Sequence, residues 1–200
     1  MTPAYILLLV FVGIERLAEL KLSRRNQRRL IEQGARKISE PHFRWMVLLH
    51  GGLLLCAGTE VLFLRRPLIP ELAIPMALVF VLANVLRWWV IRTLAGHWNV
   101  EVMESSHIGV VTSGPYRWIR HPNYVGVMAE VISLPLIHTA WITALAGTAA
   151  CLEILRRRVR TEDGVLMANP AYRLAMGEKP SFFPRVFGRR SKLAGQRRAV

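Results

Sequence analysis

Residues 113–126 hold the densest group of polar and aromatic side chains beside an apolar run: Ser113-Gly-Pro-Tyr-Arg-Trp-Ile-Arg-His-Pro-Asn-Tyr-Val-Gly126. Pro122 is well tolerated in the first turn of a helix, so this segment predicts a helix start. Free N–H groups there, together with the donor fork of Arg120, suit an anionic group. The ring of Tyr124 offers a face to a cation. The pattern favours a binding site, with a snorkelling arginine and an interfacial His121 as the alternative.

A second charged segment covers residues 156–164 and reads Arg156-Arg-Arg-Val-Arg-Thr-Glu-Asp-Gly164. On a helix, Arg158 and Glu162 lie one turn apart and can share a face. The arginines alone are typical of a stop signal beside a membrane span. Glu162 and Asp163 are less expected in such a signal, because acidic residues contribute little to membrane topology. This acid pair is therefore a second candidate for a functional site.

The composition points to a membrane protein. The chain has 200 residues, with 27 Lys and Arg against 13 Asp and Glu, which gives a net charge of +14. Yet 52% of the residues are hydrophobic and the mean hydropathy is +0.30. Basic soluble nucleic-acid-binding proteins are usually polar, so nucleic acid is not expected as a partner. Membrane spans joined by basic loops explain both facts, and the composition also argues against disordered, collagen-like and disulfide-rich proteins.

Four apolar runs are comparable in length to the roughly 20 residues that cross a bilayer as a helix. They cover residues 3–22, 43–64, 74–94 and 124–155. The last run predicts two helices folded back near residues 135–139, because Pro135 removes a backbone donor and a polar pair follows it. The sequence thus predicts an all-α, integral membrane helical bundle with about five transmembrane helices, the last two forming a hairpin.

The basic residues predict how this bundle is oriented. Eight Lys and Arg lie in residues 21–44, around the connection of the first two runs, two lie between the second and third, three lie in residues 92–121, and twelve follow from Arg156. Because Lys and Arg are enriched in cytoplasmic loops, the amino terminus is expected outside and the carboxyl terminus in the cytoplasm.

Several ionisable residues lie inside the apolar runs: Glu15, Glu19, His50, Glu60 and Arg87. Such groups are costly at membrane depth and usually face the bundle interior with a partner. Polar pairing between helices is expected, and lining a polar cofactor site is the alternative. Four tryptophans near the ends of the runs are predicted to be interfacial anchors: Trp45, Trp88, Trp89 and Trp98.

Together these segments resemble the isoprenylcysteine carboxyl methyltransferase family. The resemblance rests on Gly114-Pro-Tyr-Arg and Arg120-His-Pro-Asn-Tyr-Val-Gly126, then an apolar hairpin, then Arg158, Glu162-Asp163 and Leu166. Further segments are similar to the short bacterial members that accompany type III polyketide synthases making alkylresorcinols and alkylpyrones: Glu15-Arg16 with Glu19-Leu20, His42 to His50, and Arg87-Trp-Trp89 to Trp98-Asn99. The resemblance spans residues 5–187.

The resemblance implies a membrane enzyme that uses S-adenosylmethionine. His121 and Tyr124 match the family's cofactor-binding pair, and Gly126 matches a glycine that gives close access to the cofactor. Glu162 matches an acid near the cofactor, and Arg120 is expected to bind the cofactor as well.

For the reaction itself, the resemblance implies Arg158 as a residue that activates the substrate and Asp163 as the second acid near the reaction centre. Asp163 is one methylene shorter than the family's usual Glu. The Phe-Gly…Tyr pattern that usually follows is replaced by Asn169-Pro-Ala-Tyr172, so the substrate end is expected to differ.

The leading hypothesis is therefore an O-methyltransferase in the bacterial cytoplasmic membrane, with its cofactor site facing the cytoplasm. Its acceptor would be lipophilic: an alkylresorcinol- or alkylpyrone-type hydroxyl first, a prenylcysteine carboxylate second and an amine head group third. The alternatives are an NADPH-dependent membrane sterol-type reductase and a non-enzymatic protein that binds anionic lipids. The six histidines show no paired ligand spacing, so no metal is expected.

One domain is expected over residues 1–187, followed by a basic, disordered tail over residues 188–200. The aromatic stretch Phe182-Phe-Pro-Arg-Val-Phe187 is predicted either to lie against the membrane or to cover a pocket. The oligomeric state is left open.

Overall fold

The computed structural model describes residues 2–38, 42–101, 103–104 and 109–184. It contains six α-helices over these residues: α1 Thr2–Glu32, α2 His42–Phe63, α3 Pro70–Leu94, α4 Pro122–Leu136, α5 Trp141–Ala168 and α6 Pro170–Met176. Single 3-10 turns cover Ala95–His97 and Gly114–Arg117. Strand β1 (Arg36–Lys37) pairs antiparallel with β2 (Met103–Glu104), and these two-residue strands are the small addition to a helical fold. The predicted tail over residues 188–200 lies outside the described residues.

Helices α1 and α5 continue well past the apolar runs that predicted them. α1 ends at Glu32 rather than near residue 22, and α5 ends at Ala168 rather than near residue 155. Arginine, lysine, glutamate and glutamine are good helix formers, so a change from apolar to charged composition does not end a helix. As a result Arg158, Glu162 and Asp163 lie on α5 itself.

The predicted hairpin is confirmed. α4 ends at Leu136 and α5 begins at Trp141, with Pro135 in the last turn of α4. Thr139, in the connection, has a positive φ of 55° and donates a hydrogen bond from Oγ1 to the Pro67 carbonyl at 2.6 Å. Glu60 of α2 accepts hydrogen bonds from the Thr143 N–H and hydroxyl, so its carboxylate caps the positive end of α5.

Two helices of the described chain are long and apolar enough to cross a membrane, Phe43–Phe63 and Pro70–His97. The prediction of five transmembrane helices is not confirmed. α4 has 15 residues and is about 22 Å long, which is short of the roughly 30 Å hydrocarbon core. Large apolar side chains lie exposed on the outside of the bundle, as lipid contact requires: Leu7, Phe11, Leu55, Phe63, Ile74 and Leu145.

A buried charge cluster joins three helices, and we call Arg16, Glu19, Arg87 and Glu130 the bundle cluster. Arg87 Nη2 lies 2.5 Å from Glu19 Oε2, and Arg16 Nη1 lies 2.9 Å from the same oxygen. Glu130 Oε2 lies 3.6 Å from Arg16 and 3.7 Å from Arg87. Polar pairing between helices is therefore confirmed for Glu19 and Arg87, and Glu130, which the sequence did not single out, completes the cluster.

Trp98 corrects one sequence prediction. Trp45, Trp88 and Trp89 are exposed, but Trp98 is only 2% exposed. Its carbonyl accepts a hydrogen bond from Asn26 Nδ2 at 2.8 Å. Trp98 is therefore part of the core after α3 and not an interfacial anchor, because the extended α1 covers it.

Candidate functional site

A cavity of about 410 Å³ runs through the bundle toward the start of α4. Its walls are formed by α1, α2 and α3, by residues 98–101, by the start of α4, and by the charged part of α5. The inner part reaches Arg16, Glu19 and Arg87 of the bundle cluster. The other end is lined by the polar residues that the sequence singled out: Arg120, His121, Tyr124, Arg158 and Glu162.

The turn before α4 fixes where this polar end lies. Gly114 has a φ of +55°, and a Cβ there would lie 2.4 Å from Thr93 Oγ1, so only glycine fits. Gly114–Arg117 forms a 3-10 turn, and Pro122 then begins α4. This turn places Arg120 and His121 directly before the first residue of α4.

The segment after α6 pairs with the start of α4. The backbone N–H of Arg120 donates to the Pro180 carbonyl at 3.0 Å, and that of His121 donates to the Ser181 carbonyl at 2.9 Å. Arg120 Nη2 also donates to Ser181 Oγ at 2.8 Å. The expectation that the helix start offers free N–H groups therefore does not hold for His121, and Pro122 has no N–H, which leaves the side chains as the main donors.

The predicted residues of α4 and α5 meet in one group, which we call the terminal cluster: Arg120, His121, Tyr124, Glu162 and Asp163. His121 Nε2 lies 2.9 Å from Asp163 Oδ1, and Arg120 Nη2 lies 3.3 Å from Asp163 Oδ2. The Tyr124 hydroxyl donates to Glu162, and the rings of His121 and Tyr124 stack with centroids 5.4 Å apart. Two cationic or imidazole groups thus face two carboxylates beside an aromatic surface.

Arg158 lies one turn before Glu162 on α5 and is buried. Its guanidinium carbon lies 5.8 Å from the centroid of the Tyr124 ring, a cation–π geometry. Its Nη2 donates to the Val100 carbonyl at 2.7 Å. Arg158 therefore connects α5 both to the terminal cluster and to the segment that follows α3.

Two predicted site residues do not line the cavity: Asp163, which is joined to it through His121 and Arg120, and Gly126. A Cβ at this position would lie 3.0 Å from Arg87 Cγ and 3.3 Å from the Ala83 carbonyl oxygen. Glycine at this position therefore allows α4 to pack closely against α3. Its role in access to a cofactor stays a prediction.

Sequence reasoning missed Ser181, named Asn123 in the dense segment without giving it a role, and left Phe182 between two interpretations. Asn123 lines the cavity beside Arg120. The Phe182 ring lies 6.0 Å from that of His121 and packs in the same apolar cluster as Tyr124, so it lies against the terminal cluster. Phe183 is 75% exposed and points away. The aromatic stretch was the signal, but only the return of the chain shows which ring turns inward.

The ionisation of nearby tyrosines follows from burial. Burial raises the pKa of Tyr172, and the charges of Glu162 and Asp163 raise it further. Burial also raises the pKa of Tyr116, with a contribution from Glu162. Both tyrosines are therefore neutral at physiological pH, and the acid pair supplies the negative charge on this side of the site.

The terminal cluster can hold a small zwitterion. Arg120 Nε and Asn123 Oδ1 are buried without a hydrogen-bond partner in the part of the chain that the structure describes, which leaves one donor and one acceptor for a ligand. Arg120 suits a carboxylate, whereas Glu162 suits an ammonium or hydroxyl groups. The residues present thus fit the methionine moiety of S-adenosylmethionine. Over the same described ranges, no group of three or more His, Cys, Asp or Glu could hold a metal ion.

Comparisons with known proteins find a family model and two relatives that match this chain. Residues 75–168 match the model of the isoprenylcysteine carboxyl methyltransferase (ICMT) family, a range that contains every predicted site residue. The chain is 30% identical over 161 residues to the uncharacterized protein YpbQ of Bacillus subtilis (strain 168), which covers 80% of this chain and 95% of that relative. It is also 33% identical over 92 residues to the protein-S-isoprenylcysteine O-methyltransferase of Tribolium castaneum, covering 45% of this chain and 33% of that relative. The part of the chain that carries every predicted site residue, residues 75–168, is therefore a domain of the isoprenylcysteine carboxyl methyltransferase family.

Proposed function

We propose that this protein is an S-adenosylmethionine-dependent O-methyltransferase of the bacterial cytoplasmic membrane that acts on a lipophilic acceptor. Membership of the family supports a membrane methyltransferase. The observation that carries the proposal is a single cavity with the terminal cluster at one end and apolar helix walls along its length. Such a cavity can hold a polar methyl donor and a lipophilic acceptor at the same time.

The terminal cluster binds the cofactor in this proposal. Arg120 and His121 face the methionine carboxylate, Glu162 accepts from the ammonium or the ribose hydroxyls, and Tyr124 presents its ring to the positive charge. S-adenosylmethionine supplies an electrophilic methyl group on a sulfonium. Asp163 holds His121 at 2.9 Å and Arg120 at 3.3 Å, so its part is to orient the donors. Gly126 has a packing role in this proposal, because it allows the close approach of α4 to α3.

The chain's main contribution to the rate is alignment. Holding the methyl donor and the acceptor oxygen in contact and in line removes much of the entropic barrier. Arg158 lies beside the Tyr124 ring and stabilises an anionic acceptor, because a nearby guanidinium favours the deprotonated oxygen. Phe182 and the segment around it exclude water from this end.

The acceptor carries an apolar chain. Leu17, Leu20, Phe43, Val47 and Leu54 line the cavity and give it an apolar wall over α1 and α2. An alkylresorcinol- or alkylpyrone-type hydroxyl is our first choice, and a prenylcysteine carboxylate, in keeping with the name of the Tribolium relative, is the second. The phospholipid amine is third, because it would place another cation beside Arg120 and Arg158.

An outside amino terminus, a cytoplasmic carboxyl terminus and a cytoplasmic site complete the proposal. The water-soluble cofactor then enters at the start of α4, and the lipophilic acceptor enters from the bilayer. A sterol-type reductase would need a surface for a nucleotide phosphate, and the sequence has no glycine-rich loop. A lipid-binding scaffold would need basic charge but not an enclosed acid–histidine cluster.

Purified protein in detergent tests the proposal directly. We expect S-adenosylmethionine to bind by calorimetry and its labelled methyl group to appear in an alkylresorcinol extracted into organic solvent. Folded protein that binds no cofactor would refute the methyltransferase proposal. Methylation of prenylcysteine alone would keep the enzyme class and move the second acceptor to first place.

A further inference from the structure

His50 of α2 lies on the wall of the cavity and has a defined tautomer. Its Nδ1 lies 2.8 Å from the Met46 carbonyl oxygen. A carbonyl can only accept, so Nδ1 donates and the neutral ring carries its lone pair on Nε2. Nε2 is buried and has no hydrogen-bond partner among the residues that the structure describes. A buried acceptor on a cavity wall is available to a ligand that brings a donor.

His50 and the terminal cluster are connected through α2 and through the cavity that both line. Met46, one helical turn earlier, packs in the same apolar cluster as Tyr124, and one turn corresponds to about 5.4 Å. His50, Tyr124 and Glu162 line the same cavity. An acceptor whose hydroxyl lies at His50 can therefore share this cavity with a methyl donor held at the terminal cluster.

Three charged groups act on the ring, each from a different helix: Arg16 of α1, Arg87 of α3 and Glu130 of α4. Glu130 stabilises positive charge on the imidazole, whereas the two arginines oppose it. All three belong to the bundle cluster, where they are already paired with one another or with Glu19. Arg16 Nε, Arg87 Nη1 and Glu130 Oε2 also have no hydrogen-bond partner among the described residues, but among these unpartnered atoms only His50 Nε2 is a neutral ring nitrogen that can take up a proton.

We propose that Nε2 of His50 accepts the hydroxyl proton of a phenol- or enol-type acceptor, which makes His50 the general base of the reaction. The inference rests on the proposed O-methyltransferase function and names the class of its substrate. A carboxylate is ionised at neutral pH and needs no base, but a phenol has a pKa near 10, like tyrosine. A neutral imidazole is the usual group for this task.

The step balances as follows in atoms and charge. The O–H bond of the acceptor breaks and its proton passes to Nε2 of His50, while the oxygen forms a bond to the methyl carbon. The methyl–sulfur bond breaks, its electron pair stays on sulfur, and the sulfonium becomes a neutral thioether. The imidazolium beside Glu130 later releases its proton to water.

Two substitutions separate hydrogen bonding from proton transfer. His50→Asn keeps a short amide near the Met46 carbonyl and removes the acceptor at the Nε2 position. His50→Gln offers an amide oxygen that accepts a hydrogen bond but takes no proton at neutral pH. His138→Gln is the matched control, because His138 is a buried histidine on the hairpin that does not line the cavity.

Turnover is measured with an alkylresorcinol and with a prenylcysteine carboxylate. We expect both His50 variants to lose roughly 10²–10⁴-fold in turnover of the alkylresorcinol at neutral pH. The carboxylate reaction and cofactor binding should match the His138→Gln control. Toward pH 10 the deficit of His50→Gln should narrow, because the phenol ionises without a base.

Equilibrium binding without cofactor gives a second readout. Calorimetry compares the alkylresorcinol with its methyl ethers, which have no hydroxyl to donate. His50→Asn should weaken binding of the alkylresorcinol and leave the ethers unchanged, whereas His50→Gln should bind both like the parent. This comparison needs no methyl transfer, so it tests His50 even if the parent protein binds no cofactor and the proposed function fails.

Three results would overturn the proposal. The first is alkylresorcinol turnover within about threefold of the parent in both His50 variants. The second is an equal loss with the carboxylate acceptor, which indicates a structural role for His50. The third is a parent enzyme that methylates carboxylates alone. If His50→Asn does not fold, His50→Gln carries the test, with cofactor binding as the evidence that it is folded.

Discussion

The bundle cluster and the terminal cluster use the same residue types in different surroundings. In the bundle cluster, Arg16, Glu19, Arg87 and Glu130 come from three helices, and the most exposed side chain among them is at 11%. In the terminal cluster the carboxylates of Glu162 and Asp163 are 25% and 23% exposed. Pairing and burial in the first stabilise the fold, whereas access and aromatic stacking in the second suit a ligand. Charge alone does not distinguish a structural network from a site; the exposure of the charged side chains does.

The largest effect is expected from Arg87→Ala in the bundle cluster. Loss of one partner from a buried ion pair leaves Glu19 without its closest cation, which costs about 3–5 kcal/mol of stability. We expect a lower melting temperature in detergent. The control is Arg157→Ala on α5, whose pair with Glu153 is more than half exposed and should change the melting temperature little. Equal melting temperatures for both variants would contradict the distinction between the clusters.

Arg158→Lys tests the residue that is proposed to stabilise the anionic acceptor beside the terminal cluster. Lysine keeps the charge but loses the planar fork that lies beside Tyr124 and donates to the Val100 carbonyl. Loss of one electrostatic donor typically costs about 10²-fold in turnover. We expect that loss with cofactor affinity close to that of the parent. A large fall in cofactor affinity with unchanged turnover would reassign Arg158 to cofactor binding.

Glu162→Gln and His121→Ala test the terminal cluster itself. Each removes one charged or polar partner of the cofactor while leaving the bundle cluster intact. We expect cofactor affinity to fall about tenfold, corresponding to roughly 1.4 kcal/mol, with the melting temperature nearly unchanged. Glu153→Gln, on the exposed face of the same helix, is the matched control. If the melting temperature fell as it does for Arg87→Ala, the terminal cluster would be structural as well.

The smallest effect is expected from Gly126→Ala, which separates packing from ligand binding. The added methyl group would press on the Arg87 side chain and the Ala83 carbonyl oxygen. Overpacking of this kind costs about 1–3 kcal/mol, and the flexible Arg87 stem can give way, so we expect the lower end. Cofactor affinity per folded molecule should stay unchanged. A selective loss of cofactor affinity would favour the direct access role that the resemblance implies.

Local pattern was enough to predict much of the fold. Pro135 and the polar pair after it predicted the hairpin, and the apolar runs predicted the existence of every long helix. The ends of α1 and α5 were wrong, because charged residues continue a helix as readily as apolar ones. Trp98 was misplaced for a related reason, since the extension of α1 that buries it is not visible in an apolar run.

The candidate site was predictable in its members but not in its contacts. Residue types and spacing singled out Arg120, His121, Tyr124, Glu162 and Asp163 in two segments about forty residues apart. Ser181 was missed and Phe182 was left between two interpretations, because both reach His121 only through the return of the chain after α6. The expectation of free backbone N–H groups at the start of α4 was wrong for His121, because its N–H donates to the Ser181 carbonyl in the same returning segment.

By itself the sequence determined the chemical class of this protein: a hydrophobic, basic chain whose motifs belong to a membrane methyltransferase family. These properties depend on residue types and short spacings, which survive without coordinates. Only the tertiary structure decided which charges are paired, that Gly126 packs against α3, and that His50 keeps an unused nitrogen on the wall of the cavity. Pairing and burial depend on contacts between residues distant in the chain, so they are properties of the folded bundle alone.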